Sequence, residues 1–136
     1  MKIFLGGTCN NSKWRDELIP KLKKLKIDYF NPVVEDWTEE CQIEEIKQRN
    51  ICDYCLYVIT PKMTGTYSIA EVVDDSNKRP KKTLFLILPT DDKEEFTKSQ
   101  LKSLYQVRDM VKKNGGNVFQ TTNDLISFLS FSLLDK

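Results

Sequence analysis

Apolar residues along this chain keep two spacings. Short unbroken apolar runs recur, and each is followed by a stretch in which apolar residues return every three or four positions. Ile3-Phe4-Leu5 opens the series, inside a strand expected over Lys2–Gly7. Its run is continuous rather than alternating, as in a strand covered on both faces. Asn10-Asn11-Ser12 supplies N-cap oxygens for a helix over roughly 12–26, where Trp14, Leu18, Leu22 and Leu25 form one stripe. Pro20 sits inside that helix, where a proline removes a backbone hydrogen bond. A second strand starts at Asp28 and is placed to end near Phe30, because Asn31-Pro32 cannot continue a central strand. Thr38 caps a helix to about Asn50, with Glu39 and Glu40 near its positive end, and Ile43 and Ile46 are expected against the sheet.

The alternation continues. Cys55–Thr60 reads as the third strand, closed by Pro61, and a helix follows the loop Met63–Thr66 to about Asn77 with Ile69, Val72 and Val73 inward. Thr83–Leu88 is the clearest central strand, 91–96 a charged connection, and Ser99–Lys113 a helix stopped by Asn114-Gly115-Gly116. Asn117–Gln120 is a short fifth strand, and Asn123-Asp124 is expected to cap the last helix. Five strand–helix units predict a single α/β domain over 1–136: a doubly wound sandwich on a five-stranded, mostly parallel sheet. The expected strand order is 2-1-3-4-5, a flavodoxin-like, Rossmann-like winding.

Composition narrows the function. The chain has 136 residues, 40% hydrophobic and 30% charged, which suits one soluble globular core. Lys+Arg 21 against Asp+Glu 20 leaves a net charge of +1, so no partnership with polymeric nucleic acid or an anionic membrane is expected. No apolar run approaches the roughly 20 residues of a membrane span, and Met1-Lys2 leads directly into the first strand, so the cytoplasm is the expected compartment. The chain has no histidine, which excludes imidazole acid–base chemistry, His-ligated zinc and Ser-His-Asp or Cys-His hydrolysis. Cys52 and Cys55 have CxxC spacing but lead into a strand, not a helix N-terminus, and Cys9 and Cys41 are scattered; all four are expected to be structural thiols.

In a doubly wound sheet, ligands bind beyond the carboxyl ends of the strands, at the switch between the first and third. That confines the search to the loops 6–10, 31–37, 60–66 and 89–92. Gly6-Gly7 permits close backbone approach to a ligand, but neither a Walker loop nor GxGxxG follows, so no nucleotide cofactor is expected. Glu71 falls in the first or second turn of the helix that starts at this edge. The helix N-terminus favours its charged form, while burial and Asp74-Asp75 oppose it. A partly desolvated carboxylate in a cleft fits a glycosyl nucleophile, and a solvated helix glutamate fits the same pattern.

Ile3-Phe4-Leu5-Gly6-Gly7-Thr8, Trp14-Arg15-Asp16-Glu17-Leu18, Tyr29-Phe30-Asn31-Pro32, Cys52-Asp53 and Gly65-Thr66-Tyr67-Ser68-Ile69-Ala70-Glu71 together resemble the nucleoside 2-deoxyribosyltransferase-like family, most closely its short branch, over residues 2–90. The resemblance implies an enzyme that breaks and remakes N-glycosidic bonds through a covalent glycosyl-glutamate. It assigns the nucleophile to Glu71 and a leaving-base role to Asp53. It places Gly6, Gly7, Thr8, Asn31, Trp37, Thr60, Gly65 and Tyr67 around a nucleoside or nucleotide, and it implies a homo-oligomer. The chain departs from the pattern in having Thr60-Pro61-Lys62 after the third strand, Glu71 six residues beyond Gly65, and the ending Leu133-Leu134-Asp135-Lys136. A non-catalytic nucleotide-binding or sensing domain on the same scaffold is the competing reading. A response-regulator-like module would need an acidic cluster where Gly6-Gly7 and Thr60 stand.

Overall fold

The structure, a computed structural model, describes residues 1–135. Five parallel strands form one sheet: β1 (Lys2–Gly7), β2 (Asp28–Phe30), β3 (Tyr54–Ile59), β4 (Thr83–Ile87) and, last in the chain, β7 (Asn117–Phe119). Their order is β2-β1-β3-β4-β7 and every pairing is parallel, which is the expected winding. The helices are α1 (Trp14–Lys24), α2 (Glu39–Ile51), α3 (Tyr67–Lys78), α4 (Lys98–Lys113) and α5 (Thr122–Leu134).

The sheet divides two apolar layers by the two-residue period of its strands. Ile3 and Leu5 of β1, Leu56 and Val58 of β3, and Leu84 and Leu86 of β4 point to one side, against Trp14, Leu18 and Leu22 of α1 and Leu125 and Leu129 of α5. Phe4, Cys55, Tyr57, Ile59, Phe85 and Ile87 point to the other, against Cys52, Val72 of α3, and Leu104 and Val111 of α4. These central strands are buried on both faces, which is why their sequences read as unbroken apolar runs.

Four local expectations are corrected. The charged connection contains a two-stranded antiparallel hairpin, β5 (Thr90–Asp91) with β6 (Glu94–Glu95). It has no apolar alternation to announce it. Asp91 is held instead by the hydroxyls of Ser12 at 2.5 Å and Thr60 at 2.6 Å. The last helix is capped by Thr121, whose hydroxyl accepts from the Asp124 N–H, rather than by Asn123-Asp124. The fourth helix starts at a capping box of Thr97 and Gln100. Finally, α2 begins behind the expected cap Thr38 but is turned the other way: Ile43 and Ile46 are 68% and 46% exposed, while Gln48 and Arg49 are buried. The reason lies in what waits beneath it, described next.

Candidate active site

The carboxyl end of β1 opens into a cavity of about 560 Å³. Its floor is Phe4, Gly6 and Gly7 of β1. Pro32, Val33, Val34 and Trp37 line it from the loop after β2, Gln42 and Glu45 from α2, Arg15 from α1, and Tyr67, Ser68 and Glu71 from the first turns of α3. A smaller cavity of about 260 Å³ adjoins it, sharing Gly7, Cys9, Tyr67 and Ser68 and adding Thr8, Asn10, Met63, Thr64 and Gly65.

The two glycines are demanded by the protein itself. A Cβ on Gly6 would stand 2.7 Å from the Tyr57 ring, and one on Gly7 2.0 Å from the Val58 carbonyl oxygen. Gly7 also has φ +120°, outside the range of ordinary L residues. The turn beyond them is fixed from behind by Arg15. Its buried guanidinium donates to the carbonyls of Leu5 (2.9 and 3.1 Å), Gly7 (3.4 Å) and Thr8 (2.7 Å) and stacks on Trp14 at 4.2 Å.

Glu71, in the second turn of α3, has a side chain only 11% exposed. Burial pushes its carboxyl up to about 7, against the downward pull of the Arg49 guanidinium, and the neighbouring Glu45 and Asp75 add to the rise. Arg49 Nη1 lies 3.6 Å from Glu71 Oε2. The rest of that guanidinium is spent on α3: Nη2 lies 2.8 Å from Asp75 Oδ1 and 3.3 Å from Asp74 Oδ2, and Nε 3.3 Å from Asp75 Oδ2. Tyr57 donates its hydroxyl to Asp75 at 2.5 Å, and Arg79 Nε donates to the same carboxylate at 2.8 Å. Burial alone would raise the Asp75 pKa, but the hydrogen bonds from Arg49 and Tyr57 overcome it and hold the group below its usual value. This buried Asp75 is why α2 presents Arg49 inward and its isoleucines outward. A buried anion without a cation costs far more than two exposed side chains gain from burial.

Glu45 is the second carboxyl of the cavity. Burial raises its pKa, opposed by the Trp37 hydrogen bond and by Arg49 and Arg15. Gln42, Glu45 and Arg49 recur at three and four residues, so they share one face of α2. That polar stripe is visible in the sequence, but it competes with the apolar stripe of Ile43 and Ile46, which the same spacing favours for burial.

Of the residues expected around a ligand, the structure gathers Gly6, Gly7, Trp37, Tyr67 and Glu71 around the larger cavity and Thr8 and Gly65 around the smaller. Asn31 lines neither; its Oδ1 accepts the Val33 N–H and shapes the loop whose next residues do. Thr60 is buried behind the cleft, its N–H donating to Thr8 Oγ1 and its hydroxyl to Asp91. Asp53 is brought to neither cavity. It precedes β3, so it stands at the amino edge of the sheet, roughly 15 Å of strand away from the end that holds Gly7 and Val58. There it accepts from the Lys2 N–H at 2.7 Å and lies 3.9 Å from the Met1 ammonium. A residue before a parallel strand and one after it cannot meet at the same edge.

The thiols of Cys52 and Cys55 are buried; burial raises both, Cys55 to about 12, which suits structural rather than reactive sulfur. Cys9, by contrast, is exposed at the cleft. Among the described residues there is no group of three or more Cys, Asp and Glu side chains that could hold a metal ion, and no helix is long and apolar enough to cross a membrane.

Comparison with known proteins agrees with this fold. The family model described as "Nucleoside 2-deoxyribosyltransferase like" matches residues 1–91, a stretch that runs from β1 through α3 to β5 and contains both cavity carboxyls. A solved structure of a 2-deoxyribosyltransferase from the psychrotolerant bacterium Bacillus psychrosaccharolyticus superposes with a TM-score of 0.62 at 17% identity, covering 93% of this chain and 90% of that one. At that identity the likeness is one of fold. No curated protein matches the chain.

Proposed function

The chain belongs to the nucleoside 2-deoxyribosyltransferase-like family, and from that premise we propose that it cleaves the N-glycosidic bond of a nucleoside or nucleotide with Glu71 as nucleophile. The observation that carries this reading is the placement of Glu71: a nearly buried carboxylate on the wall of a cavity of about 560 Å³, paired loosely with one arginine. That volume falls within the roughly 300–1,000 Å³ range of small-molecule sites.

In the proposed reaction Glu71 attacks the anomeric carbon as the bond from that carbon to the base nitrogen breaks. The bonding pair leaves with the base, and Glu45, the second carboxyl that lines the cavity, delivers a proton to the base. The transition state has oxocarbenium character, so the negative charge of Glu71 stabilises it before the covalent bond completes. The glycosyl ester is then attacked by a second base or by water. Glu45 takes the proton from the attacking group, and Glu71 is released as carboxylate. No imidazole is required, which fits a chain without histidine.

The test is a panel of deoxyribo- and ribonucleosides and their 5′-monophosphates, with and without an acceptor base, assayed for free base with wild type and Glu71→Gln. Loss of base release by about a thousandfold or more is the expected outcome. A glycosyl adduct on the Glu71 peptide of quenched wild type would confirm the intermediate. Base release that survives in Glu71→Gln sinks the nucleophile assignment. Binding without turnover in wild type favours the sensing domain.

A further inference from the structure

Arg49 spans α3, touching carboxylates at three of its positions: Glu71, Asp74 and Asp75. Its contacts differ in kind. Towards Asp75 it makes two hydrogen bonds, with Nη2 at 2.8 Å and Nε at 3.3 Å. Towards Glu71 it makes a charge contact at 3.6 Å, beyond hydrogen-bond length. The guanidinium is therefore anchored on Asp75, and its position is set by groups that do not face the cavity. Tyr57 and Arg79 fix Asp75, and the Tyr57 ring lies where a Cβ on Gly6 would stand. A chain of contacts runs from the first strand's glycine to the carboxylate on the cavity wall.

We propose that Arg49 is a positioning residue for Glu71: held by Asp75, it faces the Glu71 carboxylate and keeps it turned to the cavity without engaging its lone pairs. The proposal rests on the reading of Glu71 as nucleophile. A hydrogen-bonded guanidinium would tie up the oxygen that must bond to carbon, and no guanidinium would leave a buried carboxyl with no cation facing it. A loose pair avoids both. The other titratable and charged groups around Glu71 are Glu45 on α2, Asp74 and Asp75 on α3, the neutral Tyr57 on β3, and Arg15 across the cavity. Among these neighbours Arg49 has the largest effect on Glu71, and it is the one that lowers its pKa.

The experiment compares wild type, Arg49→Gln and Arg49→Lys by the pH profile of kcat/KM and by carbon-13 titration of the Glu71 carboxyl, assigned against Glu71→Gln. In Arg49→Gln the acidic limb and the Glu71 titration move up together by about one pH unit, so turnover one unit below the wild-type limb falls about tenfold. Arg49→Lys brings both back toward wild type. Should Arg49→Gln fail to fold, Arg49→Gln with Asp75→Asn removes the buried pair together, and the Glu71 midpoint still rises, by less. A Glu71 titration that stays in place without the guanidinium overturns the proposal. If instead the titration moves but base release persists in Glu71→Gln, Arg49 does act on Glu71 and it is the catalytic reading that fails.

Discussion

The two faces of the sheet are built from neighbouring residues of the same strands, yet they have different tasks. One side takes Ile3, Leu5, Leu56, Val58, Leu84 and Leu86 and meets apolar side chains of α1 and α5 at its centre, with the buried Arg15 of α1 bound to backbone carbonyls at the end of β1. The other takes Phe4, Cys55, Tyr57 and Phe85, and beyond them it carries Asp75, Arg49 and Glu71. The first face is a plain core, whose stability comes from area removed from water. The second mixes that core with buried charge, which gains little net stability but holds groups in one geometry. The difference teaches where chemistry can be placed in a small domain: on the side where a polar atom at the strand, here the Tyr57 hydroxyl, reaches an anion on the covering helix.

Adjacent residues of β3 provide the largest break between the faces. Leu56→Ala opens a cavity in the plain core and is expected to cost about 2–5 kcal/mol in chemical denaturation, with kcat of the remaining folded protein unchanged. Tyr57→Phe removes one hydrogen bond to a buried carboxylate and costs less, about 1–3 kcal/mol, but it disturbs Asp75 and hence Arg49, so it alone alters the pH profile of base release. Equal effects of the two substitutions on that profile would erase the distinction between the faces.

A next, smaller effect concerns Glu71 itself. Its folded pKa of about 7 lies above the ordinary 4.5, so the folded state binds a proton more readily than the unfolded one. Protonated Glu71 is accepted without penalty below about pH 4.5. The penalty for its charge grows as pH rises and is complete above about pH 7. Glu71→Gln is therefore expected to be more stable than wild type by on the order of 2 kcal/mol above pH 7, with no gain near pH 4. Urea melts at the two pH values check this; a gain that is equal at both, or absent, contradicts the assigned burial cost. The smallest effect belongs to the amino edge. Asp53 is 45% exposed and far from the cavity, so Asp53→Asn is expected to leave kcat/KM within about twofold and to cost no more than about 1 kcal/mol. A thousandfold loss there would return Asp53 to the site.

How far the sequence could be read differs between α3 and α2, the helices that face each other across the cleft. In α3 the apolar stripe Ile69, Val72 and Val73 leads inward as its spacing predicts, and Glu71 follows from it to the cavity wall. In α2 two stripes of equal period competed, and preference for the apolar one put Ile43 and Ile46 inside, hiding Gln42, Glu45 and Arg49. Asp53 failed for another reason. Its place before β3 already puts it at the amino edge of a parallel sheet, away from the loops that bind ligands; its role came from the family resemblance alone.

By itself the sequence determined the five strands of the main sheet, the helices and their order along the chain, because unbroken apolar runs, three-to-four spacing and turn residues act over a few neighbours. It also determined that a glutamate stands two turns or less from the start of the helix after β3. Only the tertiary structure decided which way α2 turns, which carboxyls share the cavity, and that Gly6 yields to a tyrosine. Those outcomes depend on charges and volumes brought together from distant positions, and a buried Asp75 selects Arg49 only once the chain has folded around both.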